Sequence, residues 1–383
     1  MIMTLKKSIQ VLVLFCMGLC VAACGDNSNE PQPTDSSNAT RKAIITQYVN
    51  GVVVPTYKSL ADEALALSAI CTRLKENPSQ SLVNQACEKW IEARKYWELS
   101  EAFLFGAAGD YNIDPHIDSW PLQKSQLDNV LSNANLIAQL DEDGAAADGF
   151  STLGYGLLGF HAVEYVLFRD GEPRNVLDIT SNEFIYNAAV AQDLANQTIR
   201  LEASWAGIDK LTASKRQLLE EYELEPSTNY GEQMVLAGET GNSAYKTQLD
   251  AMVQILQGAS DISDEVGNTK ITDPINSGNV LDVESWYSWN SIADFTDNMR
   301  SVRNVYYGSL NGSVNANSLA TYLSKSNPTI DRDLRAAIEN AIKTVAAMPA
   351  PFRNHLTRSE NQAAIDACNK AMQALDAAIE SIQ

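Results

Sequence analysis

Apolar positions recur with a helical period of 3.6 residues through nearly every long segment, and hardly any segment alternates as a β-strand would. The pattern predicts an all-α protein. Helices are predicted over residues 41–75, 80–106, 123–140, 155–169, 182–204, 213–223, 243–266, 285–307, 330–347 and 359–382. Three segments rich in Gly, Pro, Asp, Asn and Ser are predicted to be long ordered loops, namely 107–121, 224–242 and 268–284.

The most apolar of these helices carries one pair of polar side chains. Within the run from Leu157 to Phe168, His161 and Glu164 lie three residues apart and therefore share a helix face. The surrounding positions are apolar, which predicts that the helix is buried nearly all round and that the pair points into the protein. Because buried charge needs a partner, the pair either holds one cation or forms a structural hydrogen bond. The spacing alone leaves both interpretations open.

A second stripe of interest lies on the predicted helix 80–106. Its members follow one another at spacings of four and three: Val83, Cys87, Trp90, Arg94, Trp97 and Glu101. An arginine and a glutamate two turns apart on an aromatic face are expected to be buried. Glu101 is then either a third ligand beside His161 and Glu164 or an ion-pair partner of Arg94.

Further polar candidates lie elsewhere in the chain. The loop 113–121 holds Asp118 among prolines that stiffen it, so it either presents ligands or forms a surface turn. In the second half, Asp294 and Asn298 line one helix face, which meets either water or the first half of the protein. Glu265 belongs to an acidic cluster at a helix C-terminus, where carboxylates oppose the helix dipole.

The N-terminus predicts the cellular compartment. Lys6 and Lys7 precede an apolar stretch that ends in Val-Ala-Ala-Cys at Cys24, the pattern of a lipoprotein signal peptide. A lipid on Cys24 would anchor the chain in the bacterial cell envelope, either periplasmic or surface-exposed. An ordinary secreted protein with an incidental cysteine is the alternative. Residues 25–40 are polar and without apolar period, which predicts a flexible tether.

Composition and charge narrow the function. With 45% hydrophobic and 20% charged residues the chain is globular, and its formal net charge of −20 argues against nucleic-acid binding and against electrostatic adhesion to an anionic membrane. The acidity serves either solubility or the collection of cations. The part after residue 40 is too long for one ordinary core. The chain is therefore divided into a signal peptide over 1–24, a tether over 25–40, an N-terminal helical bundle over 41–215 and a C-terminal helical bundle over 216–383.

The cysteines offer one possible disulfide. Cys71 and Cys87 flank a predicted turn almost symmetrically, as residues facing each other across a helical hairpin would. An envelope compartment permits a disulfide between them, although free thiols fit the pattern equally well. Cys368 has no evident partner and is predicted to be a small buried residue.

Motifs of known hydrolases are absent from the sequence. None of the three histidines is followed by Glu, so the HExxH helix of zinc proteases is missing. The inverted HxxEH form fails as well, because Tyr165 occupies the place of its second histidine. The sequence also contains no GxSxG elbow, no CxxC pair and no glycine-rich phosphate loop. These absences leave an enzymatic activity open but favour a binding role.

Gly159, His161 and Glu164 reproduce a GxHxxE signature that resembles the imelysin family. Other blocks resemble that family in the same order, from about residue 41 to the end of the chain. They are Trp90, Arg94, Trp97 and Glu101; Ile117, Asp118, Trp120 and Pro121; Ile262, Asp264, Glu265, Val266 and Gly267; and Ser291, Asp294, Asn298, Tyr306 and Gly308.

The resemblance implies two tandem helical bundles related by duplication, with the site at their interface. It also implies a role in bacterial iron uptake, with envelope iron-transport components as partners. By the same resemblance His161, Glu164 and Glu101 would face the metal, and other residues would surround them or lie at the interface: Arg94, Asp118, Glu265, Asp294 and Asn298. Some family members are called metallopeptidases, which fits poorly with the missing second zinc histidine.

The resulting hypothesis is a lipid-anchored envelope protein that binds a metal ion or metal chelate. One imidazole with carboxylates suits iron, zinc or manganese, and the resemblance favours iron over zinc. Binding is expected to weaken as His161 protonates below its ordinary pKa of about 6.5. The alternatives are a metallopeptidase and a surface scaffold that binds a partner in the cleft without metal.

Overall fold

The computed structural model describes residues 35–147, 150, 153–239, 241 and 244–383. These residues are mostly helical and include only two short strands, which confirms the all-α prediction. Helices α1 to α9 are Asp35–Tyr48, Val54–Glu76, Gln80–Glu98, Ala107–Asp110, Ile113–Ile117, Lys124–Ser132, Ala134–Asp143, Gly159–Leu167 and Ser181–Ala206. Helices α10 to α17 are Ala213–Glu221, Tyr230–Val235, Gln248–Glu265, Thr272–Ser277, Ser291–Tyr307, Leu319–Ser326, Pro328–Ala346 and Arg358–Ile382. Strands β1 (Phe168–Arg169) and β2 (Glu172–Pro173) form one short antiparallel ribbon.

The long helices pack in two groups that follow the order of the chain. In the first half α2 packs on α3 and α9, and α8 packs against α3 and α9. In the second half α12, α14, α16 and α17 pack on one another. The N-terminal helix α1 contacts α12, and Gln47 Nε2 donates to the carbonyl of Gly308 at 2.9 Å. One hydrophobic core runs through both groups, so the division into two domains near residue 215 stays a prediction.

Helix α3 ends earlier than predicted, at Glu98 instead of residue 106. The Ser100 hydroxyl donates to the carbonyl of Trp97 at 2.6 Å, which satisfies an acceptor at the end of the helix. The chain then tightens into a 3₁₀ turn over Glu101–Phe103. Glu101 therefore leaves the helical stripe and turns towards the second half of the protein.

Other predicted boundaries also differ from the structure. The predicted helix 123–140 is two helices, because the Asn133 side chain accepts from the backbone N–H groups of residues 135 and 136 and starts α7. The predicted loops are not wholly irregular: 107–121 contains α4 and α5, 224–242 contains α11, and 268–284 contains α13. Helix α15 lies in a segment for which no helix was predicted. The predicted helices 155–169, 243–266 and 285–307 begin at Gly159, Gln248 and Ser291.

The possible disulfide between Cys71 and Cys87 is not formed. Cys71, Cys87 and Cys368 are free and buried. The Cys71 sulfur accepts from Asn187 Nδ2 at 3.2 Å, whereas the Cys87 thiol donates to the carbonyl of Leu167 at 3.6 Å. Burial raises the pKa of the Cys71 thiol to about 12, so it is not reactive at neutral pH.

The signal peptide, Cys24 and the tether up to residue 34 lie outside the described residues. Helix α1 begins at Asp35, inside the segment predicted as tether. No described helix is both long and apolar enough to cross a membrane.

Candidate functional site

Gly159 allows the motif helix α8 to approach helix α5. Its φ of +74° is in the left-handed region, and a Cβ atom at this position would lie 2.1 Å from the carbonyl oxygen of Ile117. No other residue type fits here without movement of the backbone. The close approach brings Asp118, which follows α5, beside His161 on α8.

His161 is fully buried between two carboxylates. Its Nδ1 lies 3.1 Å from Glu164 Oε2, and its Nε2 lies 3.2 Å from Asp118 Oδ1 without forming a hydrogen bond to a described residue. The Trp120 ring packs edge-on against it, with 4.5 Å between ring centroids. Burial disfavours the charged imidazole, but the two carboxylates outweigh burial and raise its pKa to about 9. His161 is therefore a cation at neutral pH, which corrects the expectation that it protonates only below about 6.5.

Glu164 connects the motif helix to the second half of the chain. Its Oε1 accepts three hydrogen bonds, from the backbone N–H of Tyr287 at 3.0 Å, from the N–H of Ser288 at 2.8 Å and from the Ser288 hydroxyl at 2.7 Å. Its Oε2 faces His161 Nδ1. Glu164 is fully buried, and both of its oxygens have protein partners. His161 and Glu164 thus contact each other, and Glu164 in addition anchors the loop over 284–290. That the pair also binds a metal stays a prediction.

Arg94 occupies the centre of a buried ionic cluster. Its Nη2 lies 2.5 Å from Glu98 and 2.5 Å from Glu284, its Nη1 contacts Asp118, and its Nε lies 3.8 Å from Asp294. Trp97 Nε1 donates to Asp118 at 2.6 Å and completes the surroundings of that carboxylate. Burial alone would raise the pKa of Asp118, but Arg94 and His161 hold it well below its usual value. Asp118 is therefore ionised and shared by two cations.

Lys270 is the third cation of the cluster, besides Arg94 and His161. Its Nζ lies 3.2 Å from Glu284, 3.4 Å from Glu101 and 3.8 Å from Glu98. Glu101 pairs with this lysine and not with Arg94, which contacts Glu98 instead. Burial raises the pKa of Glu98 and Glu101 well above its usual range, although the nearby cations lower it. Both carboxyl groups therefore take up a proton more readily than an exposed glutamate does.

The cluster borders a cleft between the two halves of the chain. Its volume is about 430 Å³, and seven carboxylates and one lysine are among its lining residues. They are Glu101, Asp114, Asp118, Glu265, Asp273, Asp282, Glu284 and Lys270. Burial, together with Asp118 and Glu265, raises the pKa of Asp114 to about 7. Seven carboxyl groups against one lysine give the lining of the cleft an excess of acidic side chains.

The structure brings most of the predicted site residues together, but in a different grouping. Glu265 lines the cleft, Asp294 lies beside Arg94, and Asn298 Nδ2 donates to Glu98. The ligand atoms that lie within 4.8 Å of one another belong to two sets, Asp118 with His161 and Glu284, and Glu98 with Glu101 and Asp118. Glu164 belongs to neither set, and His161 and Glu101 are in different sets. That these residues bind metal stays a prediction.

Three residues of the cluster were not singled out from the sequence. Glu98 could have been found, because it lies four residues after Arg94 on the same helix face. Glu284 and Lys270 lie in a segment predicted as loop, where no periodicity connects them to Arg94. Only the tertiary fold reveals their position.

We expect the free energy of unfolding to decrease as the pH rises, because of two buried groups in the site. The folded-state pKa of His161, about 9, exceeds its unfolded value, so its stabilising contribution is complete below about pH 6.5 and is lost as the pH rises through 9. Burial raises the pKa of Asp294 to about 7, so ionisation of this carboxyl group also lowers the free energy of unfolding as the pH rises from about 4 to 7. In urea denaturation with chelator present, we expect a loss of about 3 kcal/mol between pH 6.5 and 9 from His161 alone.

His161→Gln is the control for this prediction. In this variant the free energy of unfolding should change little between pH 6.5 and 9. At lower pH it should depend on pH as it does in the wild type. A wild-type free energy of unfolding that stays constant or rises across that window would contradict the assignment of a charged His161.

The fold and the site define an all-α protein with a buried ionic cluster under an acidic cleft. The sequence profile of imelysin, a peptidase M75 family, matches residues 53–382, so the chain belongs to the imelysin family. This confirms the resemblance found from the GxHxxE signature. An iron-regulated protein A from Synechococcus elongatus is 28% identical over 336 residues, which cover 88% of this chain and 84% of that protein.

Two solved structures resemble the whole described chain. An iron-regulated protein A precursor from Parabacteroides distasonis is 30% identical, with a TM-score of 0.78, and the match covers 93% of this chain and 97% of that one. An imelysin-like protein from Psychrobacter arcticum is 14% identical with a TM-score of 0.63, covering 88% and 93% of the two chains. The second likeness concerns the fold alone.

Proposed function

We propose that this protein binds a metal cation, free or as a small chelate, in the acidic cleft, and that it acts in bacterial iron uptake. The observation that carries the proposal is one buried carboxylate oxygen, Glu284 Oε2, which has no hydrogen bond or ion pair with a described residue. Glu284 belongs with Asp118 and His161 to one of the two groups of potential ligands around Asp118. Buried polar atoms of this kind call for a partner, and a cation would also offset the carboxylate excess.

The donor set fits a hard or borderline cation. Carboxylate oxygens with one imidazole nitrogen suit iron, zinc and manganese, and the name iron-regulated protein A in two relatives supports iron over zinc. In this proposal Asp118, His161 and Glu284 hold the ion, Glu101 and Glu98 lie beside it, and Glu164 keeps His161 and the loop over 284–290 in place. A coordination shell completed by water suits capture and release.

The proposal includes the envelope location predicted from the sequence. A lipid on Cys24 would hold the protein at the membrane, where envelope iron-transport components are the expected partners. The acidic cleft supports a role in collecting cations, since clefts lined by one sign of charge concentrate counter-ions.

Calorimetry tests the proposal on the chain from residue 25 onwards, titrated with ferrous, ferric and zinc ions. Wild type should bind, and Glu284→Gln should weaken binding tenfold or more because it removes a charged ligand. Titration in two buffers of different ionisation enthalpy should show release of about one proton, from His161. Glu380→Gln, an exposed carboxylate on α17, is the matched control and should bind as wild type does. Equal heats for wild type and Glu284→Gln would refute the proposal.

A metallopeptidase is the competing function, but no contact of the described residues favours it. His116 pairs with Asp193 at 2.7 Å and His355 with Glu360 at 2.9 Å, so neither supplies a second imidazole next to His161. A scaffold without metal would leave the heats of the titration unchanged by Glu284→Gln. The same experiment therefore separates binding of a cation from binding of a partner alone.

A further inference from the structure

Lys270 is held less firmly than Arg94, the guanidinium at the centre of the ionic cluster. Arg94 is fully buried and has two carboxylate contacts at 2.5 Å, whereas the contacts of Lys270 are 3.2 to 3.8 Å long. The Lys270 side chain is 8% exposed and lines the cleft, whereas Arg94 does not. A lysine is a point charge on a flexible stem, whereas the planar guanidinium of Arg94 is fixed by its fork of donors.

The backbone at Lys270 is also unusual. Helix α12 continues into a π-helical turn over Val266–Lys270, and α13 begins two residues later at Thr272. Single π turns within helices occur frequently at functional sites. The Thr272 hydroxyl donates to the carbonyl of Gly267 at 2.7 Å, which fixes the turn while leaving the lysine side chain directed into the cleft.

We propose that Lys270 is a built-in counter-ion that holds the place of the metal and withdraws when the metal binds. The inference rests on the proposed function, since it requires a cation in the cleft. The ammonium lies within 3.8 Å of Glu98, Glu101 and Glu284, which are candidate ligands for that cation. A metal bound to the same oxygens at about 2.0–2.2 Å would lie close to Nζ, and the two positive charges would repel strongly in a buried site.

This arrangement has consequences for affinity and selectivity. The metal has to break the ion pairs of Lys270 before it binds, so the lysine weakens binding and eases release. Monovalent cations gain too little from the cleft to displace the ammonium, so the lysine selects for ions of higher charge.

The test is calorimetry with ferrous and zinc ions on wild type, Lys270→Met and Lys270→Gln. Both substitutions remove the competing charge, and we expect each to raise the affinity tenfold or more. Lys215→Met is the matched control, because Lys215 is also a buried lysine held by two carboxylates, Glu202 and Asp62, but lies away from the cleft. That substitution should leave the affinity unchanged. Thermal unfolding verifies that each variant is folded, and Lys270→Gln keeps polar atoms in the site if the methionine variant is too unstable.

The outcomes separate this inference from the proposed function. If wild type binds and both Lys270 variants bind equally or more weakly, the inference is overturned and the proposed function stands. If wild type does not bind and a Lys270 variant does, the lysine blocks the site as inferred, and the proposed function fails for the natural protein. Absence of binding in all three proteins overturns both.

Discussion

Replacing Arg94 by methionine is expected to lower the free energy of unfolding by about 3–5 kcal/mol. The guanidinium is fully buried, and its positive charge is shared by Glu98, Asp118, Glu284 and Asp294. Removing it leaves these carboxylates buried with only Lys270 and His161 to balance them. Urea denaturation at pH 7.5 measures the loss, and part of the stability should return at pH 5, where carboxylates of raised pKa protonate.

Arg332→Met is the matched control for Arg94→Met. Arg332 pairs with Asp333, but its side chain is 71% exposed, so its loss should change stability by no more than about 0.5 kcal/mol. A cost below about 1 kcal/mol for Arg94→Met would mean that the ionic cluster does not hold the two halves as described.

Replacing Glu164 by alanine should cost about 3 kcal/mol or more, because it leaves several buried donors without an acceptor. The donors are the backbone N–H groups of Tyr287 and Ser288, the Ser288 hydroxyl and His161 Nδ1. The loop of Tyr287 and Ser288 includes two non-glycine residues at positive φ, Ser285 at 51° and Trp289 at 60°, so it depends on such external contacts. Denaturation and hydrogen exchange of the loop amides would detect its loosening.

Glu164→Gln distinguishes positioning from metal ligation. Its amide oxygen can still accept from the loop, so we expect most of the stability and most of the metal affinity to remain. If Glu164 were instead a metal ligand, the glutamine variant would keep its stability but lose affinity as severely as Glu284→Gln does.

Helical periodicity explains how much of the site was accessible from the sequence. Arg94 and His161 were placed correctly in the interior, because apolar residues surround them on their own helices. Asp294 was found on a polar helix face, and the structure shows that this face meets the first half of the protein and not water. These are properties of single helices, which a repeat of 3.6 residues reports directly.

The partners of these residues could not be found in the same way. A spacing of three residues is compatible with two ligands or with a hydrogen bond, and for Glu164 the choice depends on Tyr287 and Ser288, which are distant in the sequence. Lys270 belongs to a π turn that simple periodicity does not anticipate. Glu101 left its predicted stripe because the Ser100 side chain ends the helix.

Anomalous diffraction at the iron absorption edge tests the central claim most directly, on crystals of the protein grown or soaked with ferrous iron. The account predicts one dominant peak about 2.0–2.5 Å from His161 Nε2 and from carboxylate oxygens of Asp118 and Glu284, with Lys270 moved away from Glu284. Iron found only at exposed carboxylates outside the cleft, with the ionic cluster unchanged, would contradict it.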